Sequence, residues 1–244
     1  MNAWAITDKG VVRKQNQDTF FACCDDEKKI ALLVVCDGMG GAAAGDVASR
    51  LALNAFTDEV KKRLTGDPAD LDYVRIVEEA LMIANRIVFD ASLGNREYRG
   101  MGTTLVAAIV TESGATVANV GDSRAYHVTR YGISQITRDH SIVEDMVQRG
   151  DITRDEARTH PNKNLITRAL GTAEDVFPDV FTLELLEDEY LFLCSDGLSN
   201  QVSDQEILYE IRRGETESAA CEKLLEIAML RGGPDNITFV LFKK

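Results

Sequence analysis

Along this chain, apolar residues come in short dense runs bounded by Gly, Asp or Ser, and between groups of runs they recur at three- and four-residue spacing. The runs predict strands over 30–36, 104–110, 115–120, 124–128, 133–137, 180–185, 190–195 and 237–242. Close spacing from 104 to 137 predicts an antiparallel meander, with Tyr131-Gly132 as one of its turns. In 70–91, Val74, Val77, Leu81, Ala84, Val88 and Ala91 fall on one helical face, and in 46–64 Val47, Leu51, Ala55, Val60 and Leu64 do the same. A second pair of helices is expected at about 203–212 and 216–231. Ser203 with Glu206, Ser141 with Glu144, and Thr153 with Glu156 read as capping-box helix starts. Two helix pairs among many antiparallel strands predict an α+β fold, a central antiparallel β-sandwich flanked by helices on both outer faces in four layers, αββα. Periodicity alone leaves other α+β arrangements open.

The ends of these runs carry acid. Ile30 to Cys36 runs into Asp37-Gly38-Met39-Gly40-Gly41, and Tyr190 to Ser195 runs into Asp196-Gly197. Gly232-Gly233-Pro234-Asp235-Asn236 precedes the last run. Asp18 and Asp122 also sit beside turn residues or strand ends. A lone Asp-Gly is ordinary turn chemistry. Buried strands that end together in aspartate suit a cluster of carboxylates around hard metal ions.

Composition narrows the reading. The chain has 244 residues, 45% of them hydrophobic, enough for one large core; with no linker or repeat, a single domain over 1–244 is expected. No apolar run approaches the roughly 18 residues of a membrane span, and the N-terminus does not read as a signal peptide, so a cytoplasmic protein without membrane insertion is expected. A net charge of −13 argues against a nucleic-acid partner. The five cysteines are odd in number and lack a Cys-x-x-Cys pair, which predicts free thiols, with Cys36 and Cys194 as small core residues. The three histidines, His127, His140 and His160, lack ligand spacing, which disfavours zinc. Carboxylate and carbonyl ligands suit Mg²⁺ or Mn²⁺. Two such ions about 3.5–4 Å apart can share a carboxylate and a water placed in line with phosphorus. Arg13, five residues before Asp18, offers a guanidinium fork that fits phosphate oxygens.

At this point a resemblance becomes specific. The segments Arg13-Lys14-Gln15-Asn16-Gln17-Asp18, Val35-Cys36-Asp37-Gly38-Met39-Gly40-Gly41, Gly102-Thr103-Thr104, Asn119-Val120-Gly121-Asp122-Ser123-Arg124, Thr137-Arg138-Asp139-His140-Ser141, Cys194-Ser195-Asp196-Gly197-Leu198 and Gly233-Pro234-Asp235-Asn236-Ile237-Thr238 follow one another in a familiar order. The chain resembles the metal-dependent protein serine/threonine phosphatases of the protein phosphatase 2C type, their bacterial branch above all.

The resemblance implies hydrolysis of phosphoserine and phosphothreonine by in-line attack of a water or hydroxide bridging two Mn²⁺ or Mg²⁺ ions, with a third ion in bacterial members. It implies that Asp37 bridges two metals and the Gly38 carbonyl completes one sphere. Asp196 and Asp235 would bind the second metal. Asp122, with Asp196, would form the third site, and Asp18 would act through metal-bound water. Arg13 would bind the substrate phosphate, so Arg13, Asp37 and Asp196 carry the catalysis. Asn236 would support Asp235. Gly102-Thr103-Thr104 and His140 resemble structural landmarks, and about 142–165 resembles a flap beside the active site. Phosphorylated proteins are the implied partners, a bacterial serine/threonine kinase among them, and a monomer is expected. The resemblance departs at two positions. Met39 stands where eukaryotic members have a histidine, and Ala42 where many bacterial members have one, so no proton donor is named. Two other readings stay open: a catalytically silent regulator of the same fold, and a two-metal phosphodiesterase.

Overall fold

The computed structural model describes residues 1–40 and 44–244, so the position of Ala42 lies outside the described residues. In chain order the strands are β1 (Asn2–Asp8), β2 (Asp18–Asp25), β3 (Ile30–Met39), β4 (Gly102–Thr103), β5 (Leu105–Thr111), β6 (Gly114–Val120), β7 (Arg124–Thr129), β8 (Gly132–Gln135), β9 (Asp179–Leu183), β10 (Tyr190–Cys194) and β11 (Ile237–Lys243). The helices are α1 (Ala44–Arg63), α2 (Tyr73–Gly94), α3 (Ile142–Arg149), α4 (Arg154–Thr159), α5 (Asp196–Ser199), α6 (Asp204–Arg213) and α7 (Glu217–Leu230).

One sheet runs in the order β1-β11-β10-β7-β8 and the other in the order β2-β3-β5-β6-β9, with β4 paired to β3. Neighbouring strands pair antiparallel in both. Between the sheets, Leu33, Val35, Val106 and Ala108 meet Leu191, Leu193, Val240 and Phe242. Outside one sheet, α1 and α2 bury Ala48, Phe56, Leu81 and Val88 against Leu32, Val34 and Ile109. Outside the other, α6 and α7 bury Ile207, Ile211 and Leu224 against Phe192, Phe239 and Leu241. The architecture is the four-layer αββα sandwich expected from the helix pairs and strand runs.

Two strands, β1 and β2, lie outside the set expected from the sequence although each carries a short apolar run. β1 carries a four-residue apolar run, Ala3 to Ile6, with Ala3 and Ala5 packed between the sheets and Trp4 and Ile6 packed on the outer core. On β2 acids bound both ends. Each lies at the edge of its sheet, and pairing with β11 and β3 holds it in place. Helix α2 starts at Tyr73 rather than 70, because Pro68 to Asp70 form a 3₁₀ turn and Asp72 supplies the cap by accepting from Arg75 N–H. The boxes at Thr153 and Ser203 are complete. At Ser141 the hydroxyl caps Glu144 N–H, but the Glu144 carboxylate is turned to Arg154 at 2.9 and 3.1 Å and to Gln148 at 2.8 Å. That carboxylate ties α3 to α4 instead of closing a box. The base of the 142–165 segment is closed by a bridge between Ser141 and Ile166.

The face between the sheets changes character at one end. Side chains on a strand alternate with a period of two. On β2 the inward series Phe20, Ala22, Cys24 begins at Asp18, and on β3 the series Ala31, Leu33, Val35 ends at Asp37. By the same alternation Thr104 leads into β5, Ser123 into β7, Ser195 follows β10, and Thr238 lies on β11. The apolar filling of the sandwich is therefore closed at this end by a layer of aspartates and hydroxyls.

Candidate active site

Asp37 lies at the centre of this layer. It stands opposite Asp18 in the β2–β3 register. Burial pushes its carboxyl well above the usual range, and the charges of Asp18, Asp196, Asp122 and Asp235 push it further. The acids read from the sequence are thus brought within electrostatic reach of one another, from two strands and three turns. Gly38 follows. A Cβ there would lie 2.1 Å from the Gly45 carbonyl oxygen and 2.6 Å from that of Gln17, so only glycine lets β3 pass so close to the start of α1.

Asp18 is 7% exposed and crosses to the other sheet, where its Oδ2 accepts a hydrogen bond from Ser195 Oγ at 2.8 Å. Its Oδ1 is buried and without a partner. Burial pushes its pKa up to about 7, against the pull of the Ser195 bond. Asp196 opens α5 and accepts from Asn200 Nδ2 at 3.0 Å. Its pKa is raised by burial and by Asp235. Asp122 is raised well above the usual range by burial and by the charges of Asp196 and Asp139.

Arg13 is half exposed and bonds Asp235 Oδ2 at 2.7 Å. Its loop is stapled by Asn236. Asn236 Nδ2 donates to the carbonyls of Lys9 at 2.9 Å and Gln15 at 3.0 Å, while its Oδ1 accepts from Gln17 N–H at 2.8 Å. Asn236 therefore supports the Arg13 loop as well as following Asp235, a role the sequence motif does not disclose.

The Asp122 turn is anchored toward the 142–165 segment. Gly121 N–H donates to His140 Nδ1 at 3.0 Å, and His140 N–H returns a bond to the Gly121 carbonyl at 2.9 Å. With Nδ1 accepting, the ring proton sits on Nε2, 3.2 Å from Asp179. Arg124 grips both carboxylate oxygens of buried Asp139 at 2.7 to 3.0 Å. A cavity of about 650 Å³ opens between this base, the segment and α6; Asp122, Asp196, Arg138, Arg154, Arg158 and Lys163 line it.

Residues missed by sequence reading share one signal. Ser195, Thr238, Thr104 and Ser123 are the first polar inward positions beyond apolar series, the same parity that marks Asp18 and Asp37. Met39, at the end of β3, places no titratable group at the position of the missing histidine. Cys36, Cys194 and Cys221 are buried and free, and Cys23 is exposed.

Among the described residues no three acidic, histidine or cysteine side chains are gathered closely enough to enclose an ion. Asp235 is turned to Arg13 and Asp196 to Asn200. The donor set nevertheless fits hard divalent cations: the acids are all oxygen donors, several are partly desolvated against their own repulsion, and one buried carboxylate oxygen, on Asp18, is unpartnered.

Comparison with known proteins agrees with this chemistry. Residues 11–222 match the family model described as protein phosphatase 2C. The chain belongs to the protein phosphatase 2C family. As a member of that family it is 35% identical to the serine/threonine phosphatase Stp of Listeria monocytogenes serotype 4b (strain F2365), over 100% of this chain and 96% of that protein. It is 36% identical to the serine/threonine protein phosphatase PstP of Mycobacterium tuberculosis (strain CDC 1551 / Oshkosh), over 97% of this chain but 44% of that longer protein. The structure of Stp1 from Staphylococcus aureus superposes with a TM-score of 0.90 at 38% identity, covering 99% of this chain and 94% of that one. The catalytic domain of PstP in complex with two manganese ions superposes with a TM-score of 0.85 at 34% identity, covering 98% and 96%. This protein phosphatase 2C chain thus shares both sequence and fold with bacterial serine/threonine phosphatases.

Proposed function

We propose that this chain is a protein-serine/threonine phosphatase that hydrolyses phosphoserine and phosphothreonine on phosphorylated proteins with two Mn²⁺ or Mg²⁺ ions, and a third at Asp122 and Asp196. One observation carries the reading: half-buried Asp37 feels the charges of four other aspartates at the end of a sandwich, with Arg13 bonded at the rim. Asp37, the Gly38 carbonyl, Asp196 and Asp235 would hold the ions. When bound, such ions neutralise charge at phosphorus and activate water for in-line attack. The residues of the chain supply the rest. Asp18 Oδ1 offers a fixed acceptor that orients a water's protons. Arg13 exchanges Asp235 for the phosphoryl oxygens of the substrate, presenting two N–H donors to a tetrahedral dianion. Asn236 keeps that arginine on a short leash through the 9–17 loop.

The manganese in the PstP structure supports the choice of metal. We further read residues 1–244 as one catalytic unit with a flap at about 142–165. It would act as a cytoplasmic monomer and oppose a bacterial serine/threonine kinase; no helix among the described residues is long and apolar enough to cross a membrane. A net charge of −13 argues against a nucleic-acid substrate.

Hydrolysis of a phosphothreonine peptide with Mn²⁺ tests the reading. Wild type should release phosphate, and Asp37→Asn or Asp196→Asn should lower kcat/KM by more than about 100-fold. Undiminished activity in either variant would sink the metal assignment. A folded wild type inert with every cation supplied would point to a silent regulator.

A further inference from the structure

Asp37 lies near the end of β3, and Asp122 lies in the turn between β6 and β7, where the chain passes from one sheet to the other. The β3–β5 ladder runs regularly from Ala31 opposite Val110 to Val35 opposite Val106. One step on, Asp37 meets Thr104, and the ladder changes. Thr104 N–H donates to the Asp37 carbonyl at 2.9 Å as a ladder would. The Asp37 N–H, however, finds the Thr104 hydroxyl at 3.0 Å. The Thr104 side chain thus takes the acceptor's place at the residue that carries the central acid. The Thr103 hydroxyl also donates to the Asp37 carbonyl at 2.9 Å.

The same Thr104 hydroxyl lies 2.7 Å from Ser123 Oγ, across the gap between the sheets and next to Asp122. Thr104 is 2% exposed and Ser123 fully buried, so water cannot substitute for either partner. The Thr104 methyl packs on the Asp122 turn as well. A Cβ on Gly121, whose φ is +109°, would lie 2.6 Å from Thr104 Cγ2. One side chain therefore touches the backbone of Asp37 with its hydroxyl and the turn of Asp122 with both its hydroxyl and its methyl.

We propose that the Thr104–Ser123 hydroxyl pair is a positioning element that sets Asp37 relative to Asp122, so that the two acids take up divalent cations in concert. Their charges repel, and the hydroxyl pair ties the backbone at Asp37 to the residue beside Asp122 against that repulsion. Thr104 and Ser123 touch neither phosphate nor cation in this scheme and act through the two acids. The inference rests on the reading of Asp37 and Asp122 as cation-binding residues.

Calorimetric titration of the folded, chelator-stripped protein with Mn²⁺ tests it, with wild type, Asp37→Asn, Ser123→Ala, Thr104→Val and Thr104→Ser compared. Ser123→Ala leaves the bond between Asp37 and Thr104 in place and carries the test should Thr104→Val fail to fold. Ser123→Ala and folded Thr104→Val should bind Mn²⁺ about tenfold more weakly than wild type, the lower end of what supporting residues contribute at metal sites. Thr104→Ser, which keeps the hydroxyl, should restore most of the affinity. A purely structural role would lower the melting temperature and leave the titration unchanged, and that result overturns the inference. Absence of Mn²⁺ binding by wild type, or binding undiminished in Asp37→Asn, would instead overturn the underlying reading and the inference with it.

Discussion

The two ends of the sandwich treat charge in opposite ways. At the end away from Asp37, acids and bases meet in exposed turns. Lys29 pairs with Glu112, and the amino terminus lies 3.3 Å from Asp26. Exposed pairs of this kind contribute little each. At the other end Asp18 is buried and Asp37 and Asp122 are half-buried, and none of them bonds a basic side chain. Arg13 reaches only Asp235 at the rim, and Arg124 is committed to Asp139. A fold selected for stability alone would not gather carboxylates where burial and repulsion both act against them. On the proposed reading, the site end is destabilised by its own charge and would be relieved by a bound cation.

The contrast can be broken first at Asp139, the buried acid at the site end that does own a cation. Removing one partner of a buried pair costs about 3–5 kcal/mol. Asp139→Asn should therefore lower the melting temperature by roughly 6–20 °C for a chain of this size. A shift of only a degree or two would show that the Arg124–Asp139 pair behaves like the surface pairs of the far end.

A smaller effect, in pH, sharpens the comparison through its sign. In chelator, Asp18 is raised to about 7 by burial. Its protonated form is favoured by folding, so its contribution is present below about pH 4 and is lost as pH rises toward 7. At the far end Glu189, which burial alone would push up, is lowered by the Leu186 N–H and by His127. Its contribution is present above the ordinary carboxylate range and is lost as pH falls. Melting temperatures of the metal-free protein between pH 4 and 7 should thus fall more steeply, or rise less, in wild type than in Asp18→Asn. Parallel profiles for the two proteins would contradict the burial of an unpaired acid at Asp18.

Much of this was legible in the residues, and the exceptions have physical causes. The apolar runs announced the central strands, and three- and four-residue periodicity announced both helix pairs. The aspartates at 18, 37, 122, 196 and 235 could be named because glycine and turn residues flank strand ends. Strands β1 and β2 were not among the expected strands although each carries a short apolar run, Ala3 to Ile6 and Phe20 to Cys24; both are edge strands whose side chains are mostly half-buried. The hydroxyls of Thr104, Ser123 and Ser195 were hidden for another reason. Each is an ordinary turn or strand-end residue until the registers of strands in both sheets place it in one layer. Asn236 looked like a neighbour of Asp235, and only the path of the 9–17 loop shows what it holds.

The central claim is that the acidic end is held against its own repulsion and relieved by divalent cations. Thermal unfolding of wild type and Asp37→Asn, each in chelator and in Mn²⁺ at 100 times the wild-type dissociation constant, tests it most directly. Wild type should gain about 2.7 kcal/mol with Mn²⁺, roughly 5–10 °C, and Asp37→Asn should gain little. A wild-type melting temperature that is the same in chelator and in Mn²⁺, or an equal gain in Asp37→Asn, would contradict the account.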